Sequence, residues 1–192
     1  MKAKIRARID SLCPLLKDTV PGVRLAAAQA IEKLEGISST EEILAQLKNG
    51  DMGARIGAIY ALGEIGGEKV LPPLVYCAAR PEADIRSAAV EVLGRLALPP
   101  ALPVLIERLE DPHTAVQARA ITALANFRVS PEVLQRLRGF LDASDGALEA
   151  EAALSLARLK DLASLERIRA LLASQHASTR QAAAAALSLM PL

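Results

Sequence analysis

The stretch Ile85-Arg86-Ser87-Ala88-Ala89-Val90-Glu91-Val92-Leu93-Gly94-Arg95-Leu96 decides the fold, because five more twelve-residue segments can be written beneath it in register. They begin at Val23, Ala54, Val116, Leu148 and Thr179, so successive copies lie 31, 31, 31, 32 and 31 residues apart. A fixed period of this length marks a chain built from repeated supersecondary units. The one added residue falls between Arg128 and Pro131.

Numbered from the first residue of each copy, the fifth column is always alanine: Ala27, Ala58, Ala89, Ala120, Ala152 and Ala183. A position that accepts one methyl in every copy is where one helix backbone nears another, and a larger side chain there is expected to cost about 1 to 3 kcal/mol by overpacking. The ninth column (Ile31, Leu62, Leu93, Leu124, Leu156, Leu187) and the twelfth (Leu34, Ile65, Leu96, Phe127, Leu159, Met190) join the first and fourth on one helical face. A second apolar register precedes each copy, with Leu12, Ile43, Leu74, Leu105, Leu137 and Ile168 in one column. Four residues on stand Leu16, Leu47, Ala78, Leu109, Leu141 and Leu172. Each unit therefore reads as first helix, turn, second helix. Breakers such as Asp18-Thr19-Val20-Pro21-Gly22, Asn49-Gly50-Asp51 and Asp111-Pro112-His113 supply the turns and the N-caps.

The first helices are expected to open at Pro72-Pro73, at Pro99-Pro100, and at Ser39-Thr40-Glu41-Glu42, where a cap precedes acids placed to meet the helix dipole. Pro14 lies inside the first helix of repeat one and predicts a kink or break. Helix pairs this short cannot bury an apolar face alone, so the expectation is a single all-α domain over 1–192. Its six repeats fall near 1–36, 37–67, 68–98, 99–129, 130–161 and 162–192.

Composition agrees with this reading. Apolar residues make up 52% and aromatics 2%, with no tryptophan, so the core must be Ala, Leu, Ile and Val in closely packed helices. Charge is nearly balanced at +1, which gives no general attraction to nucleic acid or anionic lipid. No apolar stretch approaches the roughly 18 residues of a membrane span, and no signal-like apolar run follows the basic N-terminus. A cytoplasmic protein with no membrane partner is expected. Cys13 and Cys77 show no metal-ligand spacing, read as small buried residues, and stand two repeats apart, too far for a disulfide.

Val70-Leu71-Pro72-Pro73-Leu74 together with Ile85 to Gly94 resembles the HEAT-like repeat named after phycobilisome (PBS) lyases, and the resemblance runs over nearly the whole chain. It implies a right-handed α-α superhelix, a HEAT-like solenoid, whose second helices line a concave face. The family includes bilin lyases, phycobilisome-degradation factors, enzyme appendages and scaffolds, so the fold alone does not fix a function.

The candidate partner-binding residues lie on the second helices: Arg24, Leu25, Arg55, Ile56, Tyr60, Arg86, Glu91 and Arg95. Arg24, Arg55 and Arg86 form a column that continues as Gln117, Glu149 and Arg180, and a structural role is the stronger reading, with each arginine pairing to an acidic or carbonyl group of the adjacent unit. Glu149 with Arg180, and Arg119 with Glu151, are expected as inter-repeat ion pairs. Ile59, Val90 and Ile121 either face a peptide groove or pack between neighbouring second helices, Leu154 is expected on or near the concave surface, and Tyr60 suits an interface anchor.

His113 and His176 occupy the same turn position and read as solvated turn residues rather than metal ligands. No iron-binding His-Glu pair, Ser-His-Asp set, phosphate loop or HExxH motif is present, and Gly63 and Gly66-Gly67 read as helix-end glycines. Neither cofactor nor catalysis is expected. Lys2, Lys4, Arg6 and Arg8 give a polar cover to the first repeat, whereas Gln181 to Leu192 is apolar on nearly every face. Leu187, Leu189 and Met190 are therefore expected to dock against a partner or a second copy, giving a homodimer through the C-terminal repeat. The resulting expectation is a non-catalytic scaffold for a protein partner. The alternatives are a bilin lyase or phycobilisome-degradation-like factor and, third, a nucleic-acid binder.

Overall fold

The computed structural model describes residues 2–191; the Lys2 side chain and Leu192, both part of the expected end features, lie outside the described residues. Eleven α-helices and seven short 3-10 segments, with no strand, account for the ordered elements among the described residues. They form two compact units, residues 1–58 and 59–192.

The first unit holds α1 (Lys2–Leu12), a 3-10 segment (Cys13–Lys17), α2 (Pro21–Asn49) and the start of α3 (Met52–Ile65). The break expected at Pro14 is present. Helix α1 stops at Leu12, as a missing N–H and a ring that clashes with the carbonyl four residues back require. The break expected at Ser39-Thr40 is not. Helix α2 runs for 29 residues through this stretch, so the repeat boundary near 36/37 lies inside a helix. Thr40 caps nothing; its Oγ1 donates to the Gly36 carbonyl oxygen four residues back at 2.8 Å. No proline or left-handed residue interrupts the chain between Leu34 and Glu41. Ile43 and Leu47 are consequently only half-buried, and Ile5, Ala27 and Ala58 form the strongly buried apolar set of this unit among the described residues.

The second unit continues with α4 (Leu71–Ala78), α5 (Ala83–Leu96), α6 (Leu102–Glu107), α7 (Thr114–Leu124), α8 (Pro131–Gly139), α9 (Gly146–Arg158), α10 (Leu165–Ala170) and α11 (Ala177–Leu189). Here repeats two, three and five end in a reversal through left-handed backbone. Gly66 and Gly67 take φ of 68° and 74°, and Ala97 and Lys160 reach 50° and 55°. Pro72-Pro73 sit in the first turn of α4 as expected. Pro99-Pro100 instead open a 3-10 turn, and Pro103 occupies the first turn of α6. Ser130 caps α8 by accepting from the Val133 N–H, which absorbs the extra residue of the period.

Packing follows the columns. The alanines of column five are buried in all six copies. Leu62, Leu93, Leu124 and Leu156 of column nine, and Leu74, Leu105, Leu137 and Ile168 of the first helices, are essentially sealed. The second helices α5, α7, α9 and α11 stack in order, and a Cβ added to Gly94 would lie 2.4 Å from the Ala123 Cβ and 2.7 Å from its Cα. Glycine there lets two backbones touch. Ile59, Val90 and Ile121 are fully buried, which removes them from any binding surface. Cys77 is buried as expected, whereas Cys13 is exposed because the 3-10 segment that carries it buries nothing; neither is bridged.

Candidate functional site

The arginine column resolves into a repeated clamp. In each of three copies Nη1 donates to two turn carbonyls six and five residues earlier. Arg24 reaches Asp18 and Thr19 at 2.7 and 3.1 Å, Arg86 reaches Arg80 and Pro81 at 2.8 and 2.6 Å, and Arg180 reaches Ser174 and Gln175 at 2.8 and 3.2 Å. The carbonyls belong to the arginine's own repeat. Arg86 goes further, donating from Nε and Nη2 to the two carboxylate oxygens of Asp111, both at 2.8 Å, in the turn of the next repeat. At 7% exposure and with four donors engaged, Arg86 is a structural residue and is corrected as a partner contact. Burial alone would raise the Asp111 carboxyl. Hydrogen bonds from Arg86 and the His113 backbone N–H, with the charges of Arg86 and Arg108, outweigh it and hold the group below the usual carboxylate value.

Where the column changes to Glu149 the same slot is filled with opposite polarity. Glu149 Oε2 accepts from Ser174 Oγ at 3.4 Å and Thr179 Oγ1 at 3.0 Å in the following repeat, so the expected pair with Arg180 does not form. Arg119 pairs with Glu91 of the repeat before it at 3.6 Å, and Glu151 accepts from Thr122 Oγ1 at 2.7 Å, which replaces the expected Arg119–Glu151 pair.

The exposed side of the second helices in unit two gathers columns seven and eleven, joined by Arg119 and Glu151 of column four, which the apolar register had assigned to the core face. Arg95 meets Glu64 at 2.9 Å, and the Tyr60 hydroxyl donates to Glu91 Oε2 at 3.3 Å. Burial, then the Glu91 charge and this hydrogen bond, push the Tyr60 hydroxyl above its ordinary pKa against the opposing pull of Arg119 and Arg95, so it remains a donor. Asn126 Nδ2 donates to the Gly94 carbonyl at 3.0 Å. Between α5 and α7 opens a cleft of about 350 Å³ lined by Glu91, Gly94, Arg95, Arg119, Thr122, Ala123 and Asn126. The face is polar, alternates in charge and forms no continuous basic stripe.

Of the expected contacts, Tyr60, Glu91 and Arg95 are brought together on this face. Arg24, Leu25, Arg55 and Ile56 lie in the first unit, Leu25 at 60% exposure and Arg55 and Ile56 half-buried. Arg119, Thr122 and Asn126 join the cleft without having been singled out as contacts, and reading down columns four, seven and eleven would have found them. At the C-terminal repeat Leu189 is exposed, Leu187 half-buried and Met190 buried, so Met190 is corrected from docking residue to core. His113 is exposed at its turn, and the half-buried His176 ring rests against Gly146. Among the described residues no cluster of three or more His, Cys, Asp or Glu is placed to hold a metal, and no helix is long and apolar enough to cross a membrane.

The repeat geometry has counterparts among known proteins. A family model described as HEAT repeats matches residues 9–94, 40–113 and 102–188, and the chain belongs to the HEAT-repeat family. No curated protein matches it in sequence. A chain of the complex of CpcE and CpcF of phycocyanin lyase from Nostoc sp. PCC7120 is similar at a TM-score of 0.64 and 20% identity, over 78% of this chain and 98% of that one. Escherichia coli YibA is similar at 0.65 and 19%, over 93% and 69% of the two chains. A designed armadillo repeat protein in complex with the peptide (KR)4 aligns at 0.55 and 17%, over 95% and 99%. These likenesses show the fold.

Proposed function

We propose that this chain is a non-catalytic, cytoplasmic protein-interaction scaffold, that its six repeats serve as one HEAT-like domain, and that the second-helix face of unit two binds a protein partner. The observation that carries this reading is that Glu91, Arg95, Arg119 and Thr122 of successive repeats line one cleft, with Tyr60 bonded to Glu91 and Glu64 paired to Arg95 beside it. Exposed pairs of this kind contribute at most about 1 kcal/mol each, so a partner's groups can replace them at little cost. Rigid stacked helices hold the spacing that gives specificity. The exposed Leu189, with the half-buried Leu187, supplies a second docking point, for a partner or a second copy.

The test is affinity capture from source lysate with the native chain and with a Tyr60→Ala, Arg119→Glu variant. A protein captured by the first and lost by the second supports the reading. Identical capture by both removes the face from it, and turnover of a small molecule by the purified chain removes the non-catalytic claim. The likeness to a chain of the CpcE–CpcF complex favours one second reading, a bilin-handling factor. It predicts a shift in visible absorbance when the chain is mixed with free bilin, which the scaffold reading does not.

A further inference from the structure

A second concavity lies wholly inside the first unit, where α1 and α2 leave a groove of about 560 Å³ between them. Its apolar surface comes from Leu12 on α1 and from Ala30, Leu34 and Ile37 on α2. The three α2 residues sit at i, i+4 and i+7, a stripe matched to one face of an amphipathic helix. Ile37 is 43% exposed, and Leu12, Ala30 and Leu34 are half-buried. Two basic side chains flank the stripe, Arg8 from α1 and Lys33 from α2; both are exposed, and no carboxylate lines the groove. Neither of the two takes part in an ion pair among the described residues.

The groove has a cause in the chain. Leu34 closes the second helix of repeat one, and in the second unit the corresponding point is followed by a reversal, at Gly66-Gly67, Ala97 or Lys160. In repeat one α2 continues straight on, and this continuation places Ile37 beside Leu34 along the groove.

We propose that this groove docks an acidic amphipathic helix from another protein, its apolar residues on Leu12, Leu34 and Ile37 and its flanking carboxylates on Arg8 and Lys33. The basic pair on either side of an apolar surface selects the charge of the occupant, and the helical spacing of the stripe selects its conformation. The site is separate from the second-helix face of unit two, so each can fail without the other.

The experiment selects a phage-displayed library of random peptides of about 18 residues, about five helical turns, on the full chain. Recovered peptides are then measured by fluorescence anisotropy. The expected result is enrichment of sequences with apolar residues at i, i+4 and i+7 flanked by Asp or Glu, with affinity reduced tenfold or more by an Arg8→Glu, Lys33→Glu variant and unchanged by Tyr60→Ala. Both altered charges are exposed, so the variant folds as the native chain does, which circular dichroism checks. Enrichment without an acidic excess, or binding unaffected by the double reversal, overturns the proposal. So does binding of the chain to vesicles of anionic phospholipid that the double reversal abolishes while no peptide is enriched.

Discussion

The two units read the same twelve-residue pattern and bury it to different depths. In the second, column five, column nine up to Leu156 and the leading apolar residues of the first helices are sealed, with Leu74, Leu93, Leu105, Leu124, Leu137 and Leu156 at or near zero exposure. In the first, the matching Leu12, Ile31 and Ile43 are only half-buried. Composition does not explain the contrast, since both carry the apolar register. The two also differ in punctuation: left-handed residues follow the second helices at Gly66-Gly67, Ala97 and Lys160 in the second unit, whereas the first runs straight through Gly36 to Thr40.

The comparison can be broken at several points. The largest effect is expected at the buried pair of the second unit. Asp111→Ala leaves the Arg86 charge without its partner and should cost about 3 to 5 kcal/mol in chemical denaturation followed by circular dichroism. Arg24→Ala, the clamp without an acidic partner in the first unit, should cost well under half of that. Next comes truncation within the columns. Leu93→Ala is expected to lose about 2 to 5 kcal/mol, and Ile31→Ala, at the same column of the first unit, clearly less, since its side chain is only half-buried. Equal losses would deny that the two units differ in burial.

Glycine replacement gives a smaller effect and a change of sign. Gly94→Ala drives a methyl into the Ala123 backbone and should destabilise by about 1 to 3 kcal/mol. Gly36→Ala meets open space inside a continuous helix and should stabilise by about 0.5 to 1 kcal/mol. A loss at Gly36 would mean that the chain breaks there after all. The smallest effect is set by acid. The Asp111 carboxyl is held below its ordinary value in the folded chain, so its contribution is present above the unfolded carboxylate value of about 3.9 and fades as pH falls through the lower folded one. Native chain should therefore lose more stability than Asp111→Asn between neutral pH and about pH 3, read by the same denaturation curves.

Much of this architecture was legible in the residues. Column five announced close backbones because one methyl recurs six times, and Pro14 announced a break because proline cannot sustain the helical bond. Ser39-Thr40 misled because a hydroxyl can cap a helix or bond back to the carbonyl four residues earlier, and residue type does not decide between the two. Column two was legible as structural but not in detail. Only the fold shows that the carbonyls lie behind the arginine while its acid lies ahead. The interaction face was half legible: Tyr60, Glu91 and Arg95 stood out, whereas Arg119, Thr122 and Asn126 acquire meaning once successive helices lie side by side.

The slot shared by Arg86 and Glu149 has a consequence for engineering. Arg86 needs an aspartate in the unit that follows it, and Glu149 needs hydroxyls in its follower, so these modules obey a rule of succession. Transplanting the Glu149 module ahead of the Asp111 module would set two carboxylates against each other, and a shuffled array should fail at that joint although each brick is sound.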